Sequence, residues 1–175
     1  MVISLTYGLI LSGVLIVLQL FTYIFEFDIF NIAYSLTYQL LTMVAVVWIM
    51  AYASIKFRKN YLDNNISFLR CFIIGIIVGL TAAIIISLYT YFFNVVFDPA
   101  YANELIDKSI ERIDSDPRIP DSQKEYIIQK IMEGSSPAGQ LWKSLLTLGI
   151  MNTVLALIAT LFVRKKEKIP ETNIY

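Results

Sequence analysis

Hydrophobic positions along the chain gather into four long runs, separated by short polar turns and by one longer polar segment. The runs cover about residues 3–25, 30–55, 68–96 and 141–163. A hydrocarbon core about 30 Å thick takes roughly 20 apolar residues of helix to cross, and only a helix or a closed barrel satisfies its own backbone there. Each run meets that length, so the pattern predicts an all-α membrane protein with four transmembrane helices. The third run has residues to spare, enough for a tilted span or for one that begins as an interfacial segment. The first run is free of charge as far as Glu26, and the tight acidic turn Glu26-Phe27-Asp28 leads into the second. The opening MVISLTYGLI lacks the basic lead of a signal peptide, and its apolar run is longer than a signal peptide's, so it reads as a retained span.

The longer polar segment, residues 97–140, has a pattern of its own. Asp98 before Pro99 is a helix start, a capping side chain followed by proline at the first helical position. Ile106, Ile110 and Ile113, with Leu105, form a stripe at spacings of four and three. The prolines of DSDPRIP break that helix. Ser122 with Glu125 three residues on resembles a capping box, and Ile127, Ile128, Ile131 and Met132 mark a second apolar side, which Gly134 should end. Helices are therefore expected over about 99–114 and 123–133, with Ser136-Pro137 able to open the last span. Two amphipathic helices this short cannot build a core of their own. They predict an amphipathic helical hairpin lying as a lid on the membrane bundle, within a single four-span domain covering residues 1–175.

Charge orients the layout. Lys56, Arg58 and Lys59 fall between the second and third runs, and Arg164, Lys165, Lys166 and Lys168 follow the fourth. The first connection carries no basic residue, so these ends belong on the cytoplasmic side and both termini with them. Residues 97–140 then lie outside the cytoplasm, with five basic residues against nine acidic. Their net negative charge favours docking on protein over lying flat on anionic headgroups. Aromatics agree: Tyr23, Phe25, Phe27, Tyr89, Tyr91, Phe92, Phe93 and Trp142 fall at the outer interface, Trp48, Tyr52 and Tyr61 at the inner one.

Composition narrows the function classes. The chain is 57% apolar and 16% charged, with a formal charge of zero, against about 25% charged in an ordinary soluble domain. It offers no basic field for nucleic acid. It has no histidine and one cysteine, Cys71, which removes the commonest general base and metal ligand and any internal disulfide. No aspartate or glutamate falls in the middle of a span, as a proton relay requires. No nucleotide-binding glycine loop, metal-ligand spacing or nucleophile–base pair is present. No catalytic residue, metal site or cofactor is expected, and the chain reads as no enzyme.

Small and polar residues inside the spans remain as candidates. Gly75, Gly79, Ala83 and Ser87 recur every four residues in the third span; Ser4, Gly8 and Ser12 do so in the first, and Asn152, Ala156 and Thr160 more weakly in the fourth. Small residues let helix backbones approach in a bilayer, so these stripes predict packing faces, either within one bundle or as the seam of a homo-oligomer. Arg70 and Lys143 sit near span ends, where long side chains reach the interface. Of Gln19, Gln39, Asn94 and Asn152, Gln39 looks deepest, and it is expected either to bond between helices or to line a path.

The blocks YGLI, SIKFRKN, NNISFLRCFIIGIIVGL and YTYFFNVVFDPAY, with RKK closing the last span, resemble over nearly the whole chain a bacterial membrane family catalogued as domain of unknown function 4199. The resemblance implies four spans in a bacterial inner membrane and assigns no active residue. Three readings of function follow. The first is a non-enzymatic accessory or assembly subunit, held in the lipid bilayer and binding a membrane or envelope partner. The second is a small transporter, channel or lipid-carrier component, which would need a homo-oligomer to enclose a path. The third, an enzyme on a lipid-linked substrate, would need polar clustering that the spans lack.

Overall fold

The structure, a computed structural model, describes residues 2–62 and 65–163. The basic cluster Arg164, Lys165, Lys166 and Lys168 lies outside the described residues, as does Asn64. The chain order is α1 (Val2–Ile24), α2 (Ile32–Tyr61), α3 (Phe68–Phe92), a π-helical turn (Phe93–Phe97), α4 (Pro99–Ser115), α5 (Asp121–Ser135) and α6 (Pro137–Val163). Four helical stretches among the described residues are long and apolar enough to cross a bilayer: α1, α2, α3 with its π turn, and α6. The chain is an all-α membrane protein.

Two compact units can be separated, one formed by Met1–Ala83 with Leu148–Tyr175 and the other by Ile84–Thr147. In the first, α1 and α2 are joined by a turn whose geometry the sequence explains only in part. Glu26 takes a left-handed backbone, φ 50°, while Phe27 N–H bonds back to Thr22 O and Glu26 N–H to Tyr23 O, each 3.1 Å. That pair is the Schellman closure of a helix, a place where glycine is the usual residue. The corner is then pinned by Thr22 Oγ1 and Tyr34 OH at 2.7 Å and by the Phe27 and Tyr34 rings, stacked at 4.9 Å. Asn31 starts α2, its Oδ1 accepting from Ala33 N and Tyr34 N at 3.0 and 3.3 Å.

The second span runs further than its apolar run. Lys56, Arg58, Lys59 and Tyr61 are helical rather than loop, because nothing from Ser54 to Tyr61 breaks a helix and cations favour a helix C-terminus. Arg58 adds a second tie: its Nη1 donates to Val163 O at 3.0 Å, capping the last described turn of α6. The buried core of this unit includes Leu11, Val46, Met50, Cys71, Val78 and Ala156.

In the second unit α3 ends by widening. Phe93–Phe97 form the π turn, closed by Asp98 N–H to Phe93 O at 2.8 Å. Asp98 then caps α4, its Oδ1 accepting from Tyr101 N at 3.0 Å, with Pro99 at the first helical position. Other boundaries differ from expectation. Helix α5 starts at Asp121, where Pro120 precedes it without a side-chain cap, so Ser122 is already inside the helix and the Ser122/Glu125 box has no end to cap. Gly134 does not stop α5, which continues to Ser135. The break comes at Ser136, extended at ψ 149° as a residue before proline tends to be, and its Oγ accepts from Gly139 N at 3.1 Å to open α6.

Helices α4 and α5 pack on one another, but their stripes are less buried than an amphipathic pattern suggests. Ile106, Ile110, Ile113, Ile127, Ile128 and Ile131 are half-buried and Met132 is exposed. Helix α5 has no fully buried residue. Two short helices offer too little surface to cover each other's apolar sides.

Candidate functional site

The small-residue stripes occupy defined places. Gly75 and Gly79 on α3 face α6: a Cβ added at Gly75 would lie 2.8 Å from Ala156 Cβ, and one at Gly79 would lie 2.7 Å from Asn152 Cβ. Residue numbers rise along α3 as they fall along α6, so the pair is antiparallel with matching four-residue steps. Asn152 Nδ2 donates to Gly79 O at 3.0 Å, possible only because glycine lets the helices close to that distance. Thr160, one further step along α6, turns its hydroxyl back onto Ala156 O at 2.7 Å.

The stripe of α1 meets a different side of α3. A Cβ at Gly8 would lie 2.6 Å from Thr81 Cβ and 3.1 Å from Val78 O, Ser12 Oγ donates to Leu9 O at 2.8 Å, and Ser4 and Ser12 are buried. Ala83 is also buried. Ser87 belongs to the other unit, where its Oγ donates to Ser144 Oγ at 3.1 Å. There Asn94 Nδ2 also donates to Gln140 Oε1 at 3.1 Å. Gly8, Gly75 and Gly79 are thus taken up by contacts within the chain.

Gln39 is placed otherwise. It is exposed on α2, where Ile32, Leu36, Leu40, Val44 and Trp48 form an exposed apolar ridge at four-residue steps. Asn152, 4% exposed, does bond between helices, to Gly79 O of α3. Its membership of the Asn152, Ala156, Thr160 stripe was the available signal, since a small-residue face is where a second helix comes close.

A concave feature lies where the first turns of α1, the end of α2 and the start of α3 meet. It is an open groove of about 640 Å³ lined by Val2, Ser4, Phe57, Tyr61, Leu62, Arg70, Ile73, Ile74 and Ile77. Ile74 and Ser4 are buried in its floor. Phe57 and Tyr61 flank it with ring centroids 5.1 Å apart. Among the described residues its one charged lining residue is Arg70, exposed in the first turn of α3.

The model of the family described as protein of unknown function (DUF4199) matches residues 6–165, and the chain belongs to that family. Neither a curated protein nor a solved structure matches it.

Proposed function

We propose that this family member is a non-enzymatic accessory or assembly subunit of a bacterial inner membrane, docking a partner's transmembrane helix on the Gln39 face of α2. Both termini lie in the cytoplasm in this reading, and α4 and α5 lie on the opposite side. The observation that carries it is the exposure of Gln39. It lies seven positions past the first residue of α2, about 10 Å of helix, so in this reading the amide is inside the hydrocarbon. An amide there without a partner costs roughly 2–7 kcal/mol depending on the reference. A second helix carrying a polar side chain removes most of that cost, and polar side chains do bond helices together in bilayers. The exposed Ser35 one turn earlier widens the polar strip, and Leu36 and Leu40 beside it supply apolar contact.

A photo-crosslinking side chain at position 39 tests this in native bacterial membranes. The expected product is one discrete protein adduct, a second copy or another membrane protein, that weakens when Gln39→Leu is combined with a crosslinker at position 35. Adducts with lipid alone would overturn the reading.

A further inference from the structure

We propose that the groove between α1, α2 and α3 holds one anionic phospholipid, its phosphate on Arg70 and one acyl chain along Ile73, Ile74 and Ile77. Residues 70, 73, 74 and 77 follow the i, i+3, i+4, i+7 pattern of a single helix face, and all four line the groove. From Arg70 to Ile77 the helix rises about 10 Å. A ligand lying along that face meets a charge at one end and hydrocarbon for the rest, the plan of a membrane lipid. The volume, about 640 Å³, falls within the range of roughly 300–1,000 Å³ typical of ligand pockets. Phe57, Tyr61 and Val2 bound it on the other sides, so a chain in the groove touches three helices rather than one.

Electrostatics select the headgroup. Arg70 stands in the first turn of α3, which has no acidic residue. A cation at a helix N-terminus opposes the helix dipole, whereas an anion there is stabilised by both the dipole and the guanidinium. Among the described residues Arg70 has no ion-pair partner, and the described lining holds no carboxylate. Its planar fork suits the two free oxygens of a phosphodiester. Lys59, exposed in the last turn of α2, adds positive potential at the end of α2 that borders the groove. The groove and the Gln39 face use different residues, so either reading can fail alone.

The test uses the full chain in neutral detergent and native mass spectrometry with phosphatidylglycerol and phosphatidylcholine of identical chains. One phosphatidylglycerol per chain is expected, favoured over phosphatidylcholine by about fivefold, the scale of one basic residue near an anionic surface. Arg70→Gln, at an exposed position, should abolish the preference, and Arg70→Lys should keep most of it. Ile73→Trp fills the groove from a residue 45% exposed and should weaken both lipids. Equal binding of the two lipids by the native chain, or a preference surviving Arg70→Gln, would overturn the proposal. So would binding untouched by Ile73→Trp. Displacement of phosphatidylglycerol by millimolar glycerol phosphate would show a site for free phosphate and also overturn it.

Discussion

Alanine at position 79 puts one methyl group where two helices already touch. Its carbon would stand 2.7 Å from Asn152 Cβ and 2.9 Å from Met50 Cε, whereas carbon atoms rest at about 3.5–4.0 Å. Met50 Cε is the free end of a flexible side chain and can swing away. Asn152 Cβ is fixed to the backbone of α6, so α3 and α6 must part by about 1 Å. Overpacking of this kind costs about 1–3 kcal/mol. Parting also stretches the 3.0 Å bond from Asn152 to Gly79 O, and such bonds average about 0.6 kcal/mol in a bilayer. Against this, alanine improves helix propensity by about 0.8–1.0 kcal/mol. The net expectation is a loss of roughly 0.5–3 kcal/mol. Gly149 on α6 is the control, because a Cβ there meets nothing within 4 Å; Gly149→Ala should be neutral or gain up to about 1 kcal/mol. Reversible unfolding of the full chain in mixed micelles, followed by tryptophan fluorescence, measures both. Equal stabilities for the two variants would refute the close α3–α6 contact.

Sidedness can be read with membrane-impermeant thiol reagents: Lys59→Cys and Ser115→Cys, both at exposed positions, should label from opposite faces, with little background from Cys71, which is 1% exposed. Labelling of both from one face would contradict the proposed orientation. The turn between α4 and α5 should tolerate acid, because Asp116 accepts from Arg118 N, Nε and Nη2 at 2.9, 2.9 and 2.7 Å and these bonds hold its carboxyl down at about 2. A lowered carboxylate contributes stability above its unfolded value, near 3.8, and loses it as pH falls through about 2. Amide exchange at residues 116–119, corrected for its intrinsic pH dependence, should stay constant from pH 6 to about 4 and rise only below about 3, a rise that Asp116→Asn should remove.

Hydrophobic run length made the four spans legible, because crossing a bilayer leaves the backbone one economical choice. The run lengths were poorer guides to the ends. Helix α2 goes on through Lys56–Tyr61 because hydrocarbon sets where apolar residues stop, whereas helices stop at a cap or a breaker. The Ser122/Glu125 pattern misled for a related reason: Pro120 had already started α5. The four-residue spacing of Gly75 and Gly79 signalled a close approach without saying to what. The partner became visible only when Ala156 and Asn152 were found opposite them. Gln39 and Asn152 show the limit most clearly. Depth in a span can be counted from sequence, but the side of the helix that is covered depends on neighbours over 70 positions away, as Gly79 and Asn152 are.

That separation has a consequence for how the protein is made. Gly79 leaves the ribosome 73 residues before Asn152, and at about 5–20 residues per second that is roughly 4–15 s of synthesis. Throughout that interval the glycine face of α3 has no α6 to close on it. A nascent chain paused there has α1, α2 and α3, an open seam and α6 still to come. Whatever handles the chain at the insertion site meets that seam before α6 arrives to close it.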